Sequence, residues 1–328
     1  MAEYLLQVKN LKTYFYTEEG VVRAVDDVSF NIKQGETLAI VGESGCGKSI
    51  TAMSIMKLIP SPPGKIEGGE IKFKGKDIIK LSDEELRSLR GNKISVIFQE
   101  PMTSLNPVFS IGDQIQESIM LHKKISKLEA KKEAIEMIKT VGIPRPEIIA
   151  DSYPHELSGG MKQRAMIAMA MACDPELLLA DEPTTALDVT IQAQILELMK
   201  ALQKKFNTAI MLITHDLGVV AETADYVAVM YAGKIVEETN VFELFKNPSH
   251  PYTIGLLKSK PIINKQQDVL YSIPGQVPSP HHMPKGCYFN PRCERAIEKC
   301  RQEQPNLVEI NDGHKVACWL YEKETGAK

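Results

Sequence analysis

Two segments of the chain combine glycines with polar residues in the manner of anion-binding loops. The first is Gly42-Glu43-Ser44-Gly45-Cys46-Gly47-Lys48-Ser49, which fits the phosphate-binding pattern G-x-x-x-x-G-K-[ST]. The second is Leu157-Ser158-Gly159-Gly160-Met161-Lys162-Gln163-Arg164, which is also expected to open a helix. Backbone N–H groups at a helix N-terminus, together with the helix dipole, favour a bound anion. The chain therefore carries two predicted anion-binding loops.

Regular elements are predicted on both sides of the first loop. Thr37–Val41 is a short apolar run typical of a buried strand, and a helix is expected to follow to about Leu58, before Pro60. Because glycine makes up ~7% of residues, a chance match is expected about once in a hundred chains of this length. The flanking strand and helix lower that chance further. We therefore predict a nucleotide phosphate site.

The residue types within the first loop have distinct tasks. Gly45 and Gly47 would let the backbone close around a phosphate without a Cβ in the way. Lys48 would bring a positive charge to the β- and γ-phosphates, and the Ser49 hydroxyl would bind Mg²⁺. Cys46 occupies a freely variable position, and no role is expected for its thiol. The predicted nucleotide-binding residues here are Gly42, Glu43, Ser44, Gly45, Cys46, Gly47, Lys48, Ser49, Ile50 and Thr51.

Polar residues also follow other apolar runs. Residues 177–180 form a predicted strand that delivers Asp181 and Glu182. Asp181 is suited to hold Mg²⁺ through its water shell, and Glu182 to position or deprotonate an attacking water. Another predicted strand, at 209–213, leads to His215, and residues 96–98 lead to Gln99. Taken alone, a carboxylate pair, a histidine or a glutamine at a strand end is ordinary.

The two loops and the stretch Asp181-Glu182-Pro183-Thr184-Thr185-Ala186-Leu187-Asp188 together resemble the ATPase subunits of ABC transporters. The resemblance implies an α/β fold: an ABC-type P-loop ATPase with a RecA-like parallel-sheet core, an antiparallel β subdomain and an inserted helical subdomain. It implies that His215 contacts the γ-phosphate and that Gln99 senses Mg²⁺ and water. Catalysis would then rest on Glu182, His215 and Gln99, and Mg²⁺ binding on Ser49, Gln99 and Asp181.

The same resemblance implies a site shared between two subunits. Ser158, Gly159 and Gly160 of one ATPase subunit would close over the ATP that the other subunit holds, in a head-to-tail dimer. Adenine would stack on an aromatic residue that precedes the first loop. The alignment favours Phe15, and Tyr14 and Tyr16 are the alternatives.

Composition narrows the class of protein. The chain has 328 residues, enough for two domains or one large domain with an extension. Its 39 basic and 42 acidic residues give a net charge of −3, which disfavours a general nucleic-acid binder. No apolar run reaches the ~18 residues of a membrane span, and the N-terminus lacks the pattern of a signal peptide. We expect a cytosolic protein that reaches a membrane only through a partner.

The pattern of apolar residues divides the chain. We predict an ABC nucleotide-binding domain over 1–245, with a helical subdomain over about 101–157, and a C-terminal extension over 246–328. Capping boxes are expected at Ser82 and Ser126. Leu128, Ile135 and Ile138 are expected to share one helical face. The extension is rich in proline and turn residues, so we predict an irregular segment that needs a cross-link or a docking surface.

Four of the six cysteines lie in this extension, at Cys287, Cys293, Cys300 and Cys318, with the spacing C-x5-C-x6-C-x17-C. Disulfides are disfavoured in a reducing cytosol. Zinc remains an alternative, although the usual C-x2–4-C pair is missing. An iron–sulfur cluster needs four thiolates, which this region supplies. The spacing by itself does not decide between zinc and iron–sulfur.

Three further segments resemble the ATPase subunits of peptide (dipeptide/oligopeptide) and nickel importers, and dipeptide importers most closely. They are Gln99-Glu-Pro-Met-Thr-Ser-Leu-Asn-Pro107, His250-Pro-Tyr-Thr253 and Pro284-Lys-Gly-Cys-Tyr-Phe-Asn-Pro-Arg-Cys293. This resemblance implies a [4Fe-4S] cluster on the four cysteines. It also implies two permease subunits, an identical or paralogous second ATPase subunit, and indirectly a peptide-binding protein, at the cytoplasmic face of the membrane. The alternatives are a nickel-importer ATPase, a soluble ABC ATPase and a redox sensor.

Overall fold

The computed structural model describes residues 4–99, 104–185, 187–259 and 271–321. The strands are β1 (Leu6–Thr17), β2 (Gly20–Ile32), β3 (Thr37–Val41), β4 (Gly64–Phe73), β5 (Lys76–Asp77), β6 (Ile94–Ile97), β7 (Leu177–Asp181), β8 (Ala209–Thr214), β9 (Tyr226–Tyr231), β10 (Lys234–Asn240), β11 (Val308–Asn311) and β12 (His314–Val316). The α-helices are α1 (Lys48–Ile55), α2 (Asp83–Leu89), α3 (Ile111–Lys123), α4 (Lys127–Thr140), α5 (Pro146–Ala150), α6 (Gly159–Met171), α7 (Val189–Phe206), α8 (Leu217–Thr223), α9 (Val241–Lys246), α10 (Pro251–Lys258) and α11 (Glu298–Gln302).

The chain folds as two compact units, each built from three stretches of sequence. The first unit contains Met1–Leu6, Ile32–Thr37 and Lys72–Ile213. The second unit contains Gln7–Asn31, Leu38–Ile71 and Thr214–Lys328. The phosphate loop belongs to the second unit, and the acidic strand end belongs to the first.

Parallel strands form the centre of the first unit. The strand β7 pairs with β6 on one side and with β8 on the other, both in parallel. All residues of β7 and β8 are buried, as expected for a parallel sheet that is covered on both faces. Parallel strands end at the same edge of a sheet, so the residues that follow β6 and β7 meet there. These residues are Gln99 and Glu182, and Asp181 is the last residue of β7.

The helical part of the first unit confirms most of the predicted pattern. Ser126 begins α4 with a complete capping box, and Ser82 does the same for α2. The buried face of α4 consists of Ala130, Ala134 and Ile138. The expectation for Leu128 is wrong, since this side chain is 68% exposed. Six residues at ~100° each place Leu128 about 120° around the helix axis from Ala134, the middle of the buried stripe.

The second unit combines parallel and antiparallel pairing. Its strands follow the order β11-β12-β10-β9-β3, in which only the pairing of β3 with β9 is parallel. The strands β2, β1 and β4 are neighbours in a second sheet. The predicted α/β class with an antiparallel part is therefore confirmed.

The C-terminal segment is less irregular than the sequence suggested. It adds the hairpin of β11 and β12 to the edge of the sheet beside β10. The turn of this hairpin contains Asp312 and Gly313, and Gly313 has a φ of 68° that favours glycine. Asp-Gly between short strands is a known hairpin signal, so this element could have been found from the sequence.

The C-terminal segment shares the hydrophobic core of the second unit. Its buried residues Tyr252, Tyr288 and Phe289 lie in one cluster with Val41 of β3 and Tyr231 of β9. The ring of Tyr231 lies 4.6 Å from that of Tyr252 and 5.2 Å from that of Phe289, between centroids. The segment therefore docks on the strands that flank the phosphate loop. Among the described residues, no helix has the length and apolar character needed to cross a membrane.

Candidate functional site

The phosphate loop of the second unit connects the buried strand β3 to α1. Gly47 is the N-cap of α1 and has a φ of 101°, in the left-handed region that favours glycine. A Cβ at Gly47 would also collide with the carbonyl oxygen of Ala24. The glycine is therefore required by the packing of the loop itself, in addition to any approach of a phosphate.

Lys48 is buried inside this loop. Its Nζ donates hydrogen bonds to the carbonyl oxygens of Gly42, at 2.8 Å, and Glu43, at 3.0 Å. The Sγ of Cys46 lies 3.7 Å from the same nitrogen, and burial raises the pKa of this thiol. A buried ammonium group surrounded by backbone carbonyls is a strong point charge for an entering phosphate.

The other residues predicted for this loop differ in exposure. Ser44 and Gly45 are exposed, and Ser49 and Ile50 are half-buried. The Thr51 hydroxyl donates a 2.9 Å hydrogen bond to the carbonyl oxygen of Gly47, which braces the first turn of α1. The side chain of Thr51 therefore stabilises the C-terminal end of the loop.

The three aromatic residues near the end of β1 lie on two faces of the strand. Thr13 faces α1, where its Oγ1 lies 2.8 Å from the Oγ of Ser54. Because side chains alternate along a strand, Phe15 shares this face. The hydroxyls of Tyr14 and Tyr16 donate to Asp26 and Glu67, at 2.8 and 2.7 Å. Tyr14 and Tyr16 therefore lie on the face opposite to Phe15, and the choice among the three for an adenine stays a prediction.

His215 lies beside the phosphate loop in the second unit. It is exposed, and it lines an opening of about 360 Å³ together with Gly42 and Glu43. Ile273, which follows α10 in the chain, lines the same opening. The predicted histidine and the predicted phosphate loop therefore share one cleft.

In the first unit, Gln99 and Glu182 come together as a pair. The Nε2 of Gln99 donates to the Oε2 of Glu182 at 3.2 Å, and the hydroxyl of Thr185 donates to the same oxygen at 2.8 Å. Glu182 has a φ of 45°, which is uncommon for a residue with a side chain. Asp181, at the end of β7, is buried. Two donors on one oxygen hold the Glu182 carboxylate in a single orientation.

The second glycine loop begins α6. The Oγ of Ser158 accepts a 3.4 Å hydrogen bond from the N–H of Met161, as an N-cap. Ser158 and Gly159 are exposed, whereas Gly160 is half-buried next to Ile191. The buried Gln163 donates to the carbonyl oxygen of Pro183. The start of α6 is therefore tied to the segment that follows Glu182, and its tip faces solvent.

The four C-terminal cysteines line a common opening that also contains His250 and Trp319. All are free thiols; Cys300 and Cys318 are buried, and Cys287 and Cys293 are half-buried. The N–H of Cys287 donates to the carbonyl oxygen of Cys300 at 2.8 Å. Burial raises the pKa of Cys287 to about 12 and that of Cys318 to about 11, and the nearby thiols act in the same direction.

The arrangement of these thiols bears on the predicted metal. Among the described residues, no group of three or more His, Cys, Asp or Glu side chains is arranged to hold a metal ion. A single zinc ion needs four ligands that converge on one point, so this geometry gives the zinc alternative no support. A [4Fe-4S] cluster also needs its four thiolates arranged around one centre, each bound to its own iron. The four thiols match the cluster in number and donor type, and the iron–sulfur and zinc assignments both stay predictions.

Sequence reasoning missed the side chains that fasten the phosphate loop from the C-terminal segment. Arg292 forms two hydrogen bonds with the carboxylate of Glu43, at 2.6 and 3.1 Å. The hydroxyl of Tyr252 accepts a 2.9 Å hydrogen bond from the N–H of Glu43. No local pattern could have indicated these contacts, because Arg292 lies 249 positions from Glu43 along the chain.

A buried glutamate holds the His250–Thr253 segment in place. Glu237, on β10, is completely buried and accepts hydrogen bonds from the N–H groups of Ser249 and His250, each at 2.8 Å. The Nε2 of His314, on β12, lies 2.8 Å from the same carboxylate. The C-terminal hairpin therefore contributes to the position of Tyr252.

Two family models match the chain. The first, described as "ABC transporter", matches residues 25–185, and the second, "Oligopeptide/dipeptide transporter, C-terminal region", matches residues 236–300. The oligopeptide transport ATP-binding protein AppD of Bacillus subtilis is 56% identical over 320 residues, which cover 98% of both chains. The dipeptide transport ATP-binding protein DppD of the same organism is 51% identical, over 98% of this chain and 96% of that protein.

Solved structures are similar over a shorter part of the chain. A dimeric ATP-binding cassette in a post-hydrolysis state, bound to ADP and Pi, gives a TM-score of 0.65 at 29% identity. The match covers 72% of this chain and 98% of that one. The cassette accounts for most of the chain but not for all of it.

Proposed function

Because the chain belongs to the ABC transporter ATPases that carry the oligopeptide/dipeptide C-terminal region, we propose that it hydrolyses ATP to power peptide import through a membrane permease. The observation that carries this function is the near full-length match to peptide transport ATP-binding proteins. These relatives give no support to the nickel-importer alternative or to a soluble ABC ATPase. The protein would act at the membrane through its permease.

The second unit would hold the triphosphate of ATP. Lys48 would exchange its hydrogen bonds to the carbonyl oxygens of Gly42 and Glu43 for bonds to phosphate oxygens. The half-buried Ser49 would bind Mg²⁺ with its hydroxyl. His215, in the same cleft as Gly42, would contact the γ-phosphate.

The first unit would contribute the hydrolytic groups. Asp181 would hold Mg²⁺ through water, and Gln99 would contact the ion or the attacking water. Glu182 would take the proton of that water as general base. Its hydrogen bonds with Gln99 and Thr185 support this role, since they orient the carboxylate before ATP arrives.

A second ATPase subunit, identical or paralogous, would complete each nucleotide site. Ser158 and Gly159 are exposed at the start of the 13-residue helix α6, where backbone N–H groups attract anions. These residues and Gly160 would close over the γ-phosphate on the partner ATPase. Two permease subunits and a peptide-binding protein complete the proposed assembly.

Uptake of labelled peptide by liposomes tests the proposed function. The liposomes would contain the chain with its permease and second ATPase subunit, and the peptide-binding protein would be added outside. Peptide should accumulate only when ATP is present on the ATPase side. ATP hydrolysis without peptide uptake, or uptake of nickel in its place, would contradict the proposal.

Phe15 would stack on the adenine of ATP. Base stacking on an aromatic side chain contributes about 1–3 kcal/mol, so Phe15→Ala should weaken ATP binding at least about fivefold. Phe15→Tyr should retain most of the affinity, because the ring remains. Equilibrium titration of the full chain with ATP measures both. Tyr16→Ala is the matched control on the opposite face, and a larger loss in that variant would reverse the assignment.

The four C-terminal thiolates would hold a [4Fe-4S] cluster in a structural or redox-sensing role. The cluster would supply four iron–sulfur bonds that cross-link a segment with few regular elements. Because the pKa values of Cys287 and Cys318 are raised, both thiols must release protons when iron binds. Assembly should therefore be favoured by higher pH.

The iron and sulfide content of the protein tests this cluster. After purification without oxygen, the chain should contain about four irons and four sulfides and absorb visible light. Cys300→Ser should lose most of the iron, whereas Cys173→Ser, a buried thiol on the other unit, should retain it. A colourless wild-type protein without iron would contradict the proposal, and one zinc per chain would favour the zinc alternative.

A further inference from the structure

We propose that Arg292 and Tyr252 are positioning residues for the phosphate loop, through which the C-terminal segment sets the affinity of the chain for ATP. Both residues act on Glu43, the second residue of the loop. The inference rests on the nucleotide site proposed above, and it gives the C-terminal segment a role in nucleotide binding.

Every polar group of Glu43 is engaged in the structure. Its N–H donates to the Tyr252 hydroxyl at 2.9 Å, and its carboxylate accepts two hydrogen bonds from Arg292. Its carbonyl oxygen accepts a 3.0 Å hydrogen bond from Lys48. Two of these three attachments come from the C-terminal segment. The third joins Glu43 directly to the lysine that would bind phosphate.

Arg292 is itself held firmly, so it can define the position of Glu43. Its side chain is only 5% exposed, against 29% for Glu43. The Nε donates to the carbonyl oxygen of Pro274 at 2.9 Å. The guanidinium also lies 5.8 Å from the ring centroid of Tyr231. A planar guanidinium with several fixed donors grips a carboxylate in one geometry, which a lysine cannot do.

Tyr252 is fixed in a similar way. Its ring packs against Tyr231 and Phe289, with centroid distances of 4.6 and 5.4 Å. Its N–H donates to the Nδ1 of His250 at 3.0 Å, and the N–H of His250 is bound by the buried Glu237. The Tyr252 hydroxyl that binds Glu43 is therefore held in a fixed position.

The arrangement has two consequences for ATP binding. Arg292 neutralises a carboxylate that lies within an anion-binding loop, where an uncompensated negative charge would repel the phosphates. The two contacts also hold the loop in one conformation before the ligand arrives, which lowers the ordering cost of binding. Neither effect involves the groups that activate water. Loss of the contacts should therefore raise Kd and KM and leave kcat nearly unchanged.

The test is ATP affinity of the full chain, together with KM and kcat in the assembled transporter. Arg292→Ala should weaken ATP binding about tenfold, and Arg292→Lys and Tyr252→Phe about threefold to fivefold each. Matched controls come from the same segment: Arg301→Ala removes an exposed arginine, and Tyr288→Phe removes a hydroxyl that binds Asp26. Both controls should bind ATP like the wild type.

A second substitution separates this role from general stabilisation. If the charge of Glu43 is what Arg292 compensates, then Glu43→Gln in the Arg292→Ala background should restore part of the lost affinity. Glu43→Gln removes the charge and keeps a side chain of the same size that can form hydrogen bonds, so it isolates the electrostatic effect on ATP. Thermal unfolding of each variant, without nucleotide, reports its stability independently of ATP.

Three results would count against the proposals made here for the phosphate loop. Binding by Arg292→Lys and Tyr252→Phe within twofold of the wild type would overturn the proposal, whether or not Arg292→Ala folds. Equal losses in the variants and their controls would also overturn it, since the effect would then be nonspecific. Lys48→Ala distinguishes the two levels of inference: if that variant still binds ATP, the proposed nucleotide site is wrong, independently of Arg292.

Discussion

The Glu182→Gln chain is expected to bind ATP with nearly the affinity of the wild type and to lose turnover by about a hundredfold to a thousandfold. An amide retains the size and the accepting oxygen of the carboxylate, so the hydrogen bonds from Gln99 and Thr185 can persist. It cannot accept the proton of the attacking water. Steady-state ATP hydrolysis in the assembled transporter, with an ATP titration of the same protein, measures both quantities.

The same variant should accumulate in the ATP-bound dimer. The second loop is proposed to close over ATP before hydrolysis, and only hydrolysis then permits reopening. Glu197→Gln is the matched control, because Glu197 is exposed on α7 in the same unit. It should turn over ATP normally. Brisk hydrolysis by Glu182→Gln would exclude Glu182 as the general base.

Lys48→Ala is expected to remove ATP binding and turnover together. The buried ammonium is proposed to leave the carbonyl oxygens of Gly42 and Glu43 and bind the phosphates. Loss of a buried charge with several hydrogen bonds should weaken ATP binding at least about a hundredfold. Equilibrium binding of labelled ATP to the full chain measures the loss directly.

The control for this variant is Lys9→Ala, which removes an exposed lysine from the same unit. It should bind ATP like the wild type. The two principal variants thus separate binding from hydrolysis. Lys48→Ala should lose both ATP binding and hydrolysis, whereas Glu182→Gln should lose only hydrolysis. An Lys48→Ala chain that retains affinity for ATP would show that the loop is not the phosphate site.

Local sequence predicted those features that depend on near neighbours. One contiguous segment contains β3, the glycines that follow it and Lys48. Its pattern can therefore be recognised without knowledge of the fold. The capping boxes at Ser82 and Ser126 need a residue only three positions away. In each case the interacting groups are linked by a short stretch of backbone with few alternative conformations.

Other features were within reach of the sequence but were read incorrectly or not at all. The buried stripe of α4 follows Ala130, Ala134 and Ile138, and small alanines are a weak signal beside a large Leu128. The Asp312-Gly313 turn marks a hairpin, although the strands on either side have only four and three residues. Short strands are stabilised mainly by the sheet they join, and the local sequence carries no pattern that indicates this stabilisation.

By itself, the sequence determined the phosphate loop, the acidic strand end and the family to which they belong. The tertiary structure decided which distant residues act on them. Parallel pairing of β6 with β7 brings Gln99 to Glu182, across 83 positions of the chain. Strand alternation and packing against α1 put Phe15 on the face of β1 opposite to Tyr14 and Tyr16. The contact of Arg292 with Glu43 exists only because the C-terminal segment docks on β9 and β3. Contacts of this kind depend on the path of the whole backbone, which no local pattern of residues encodes.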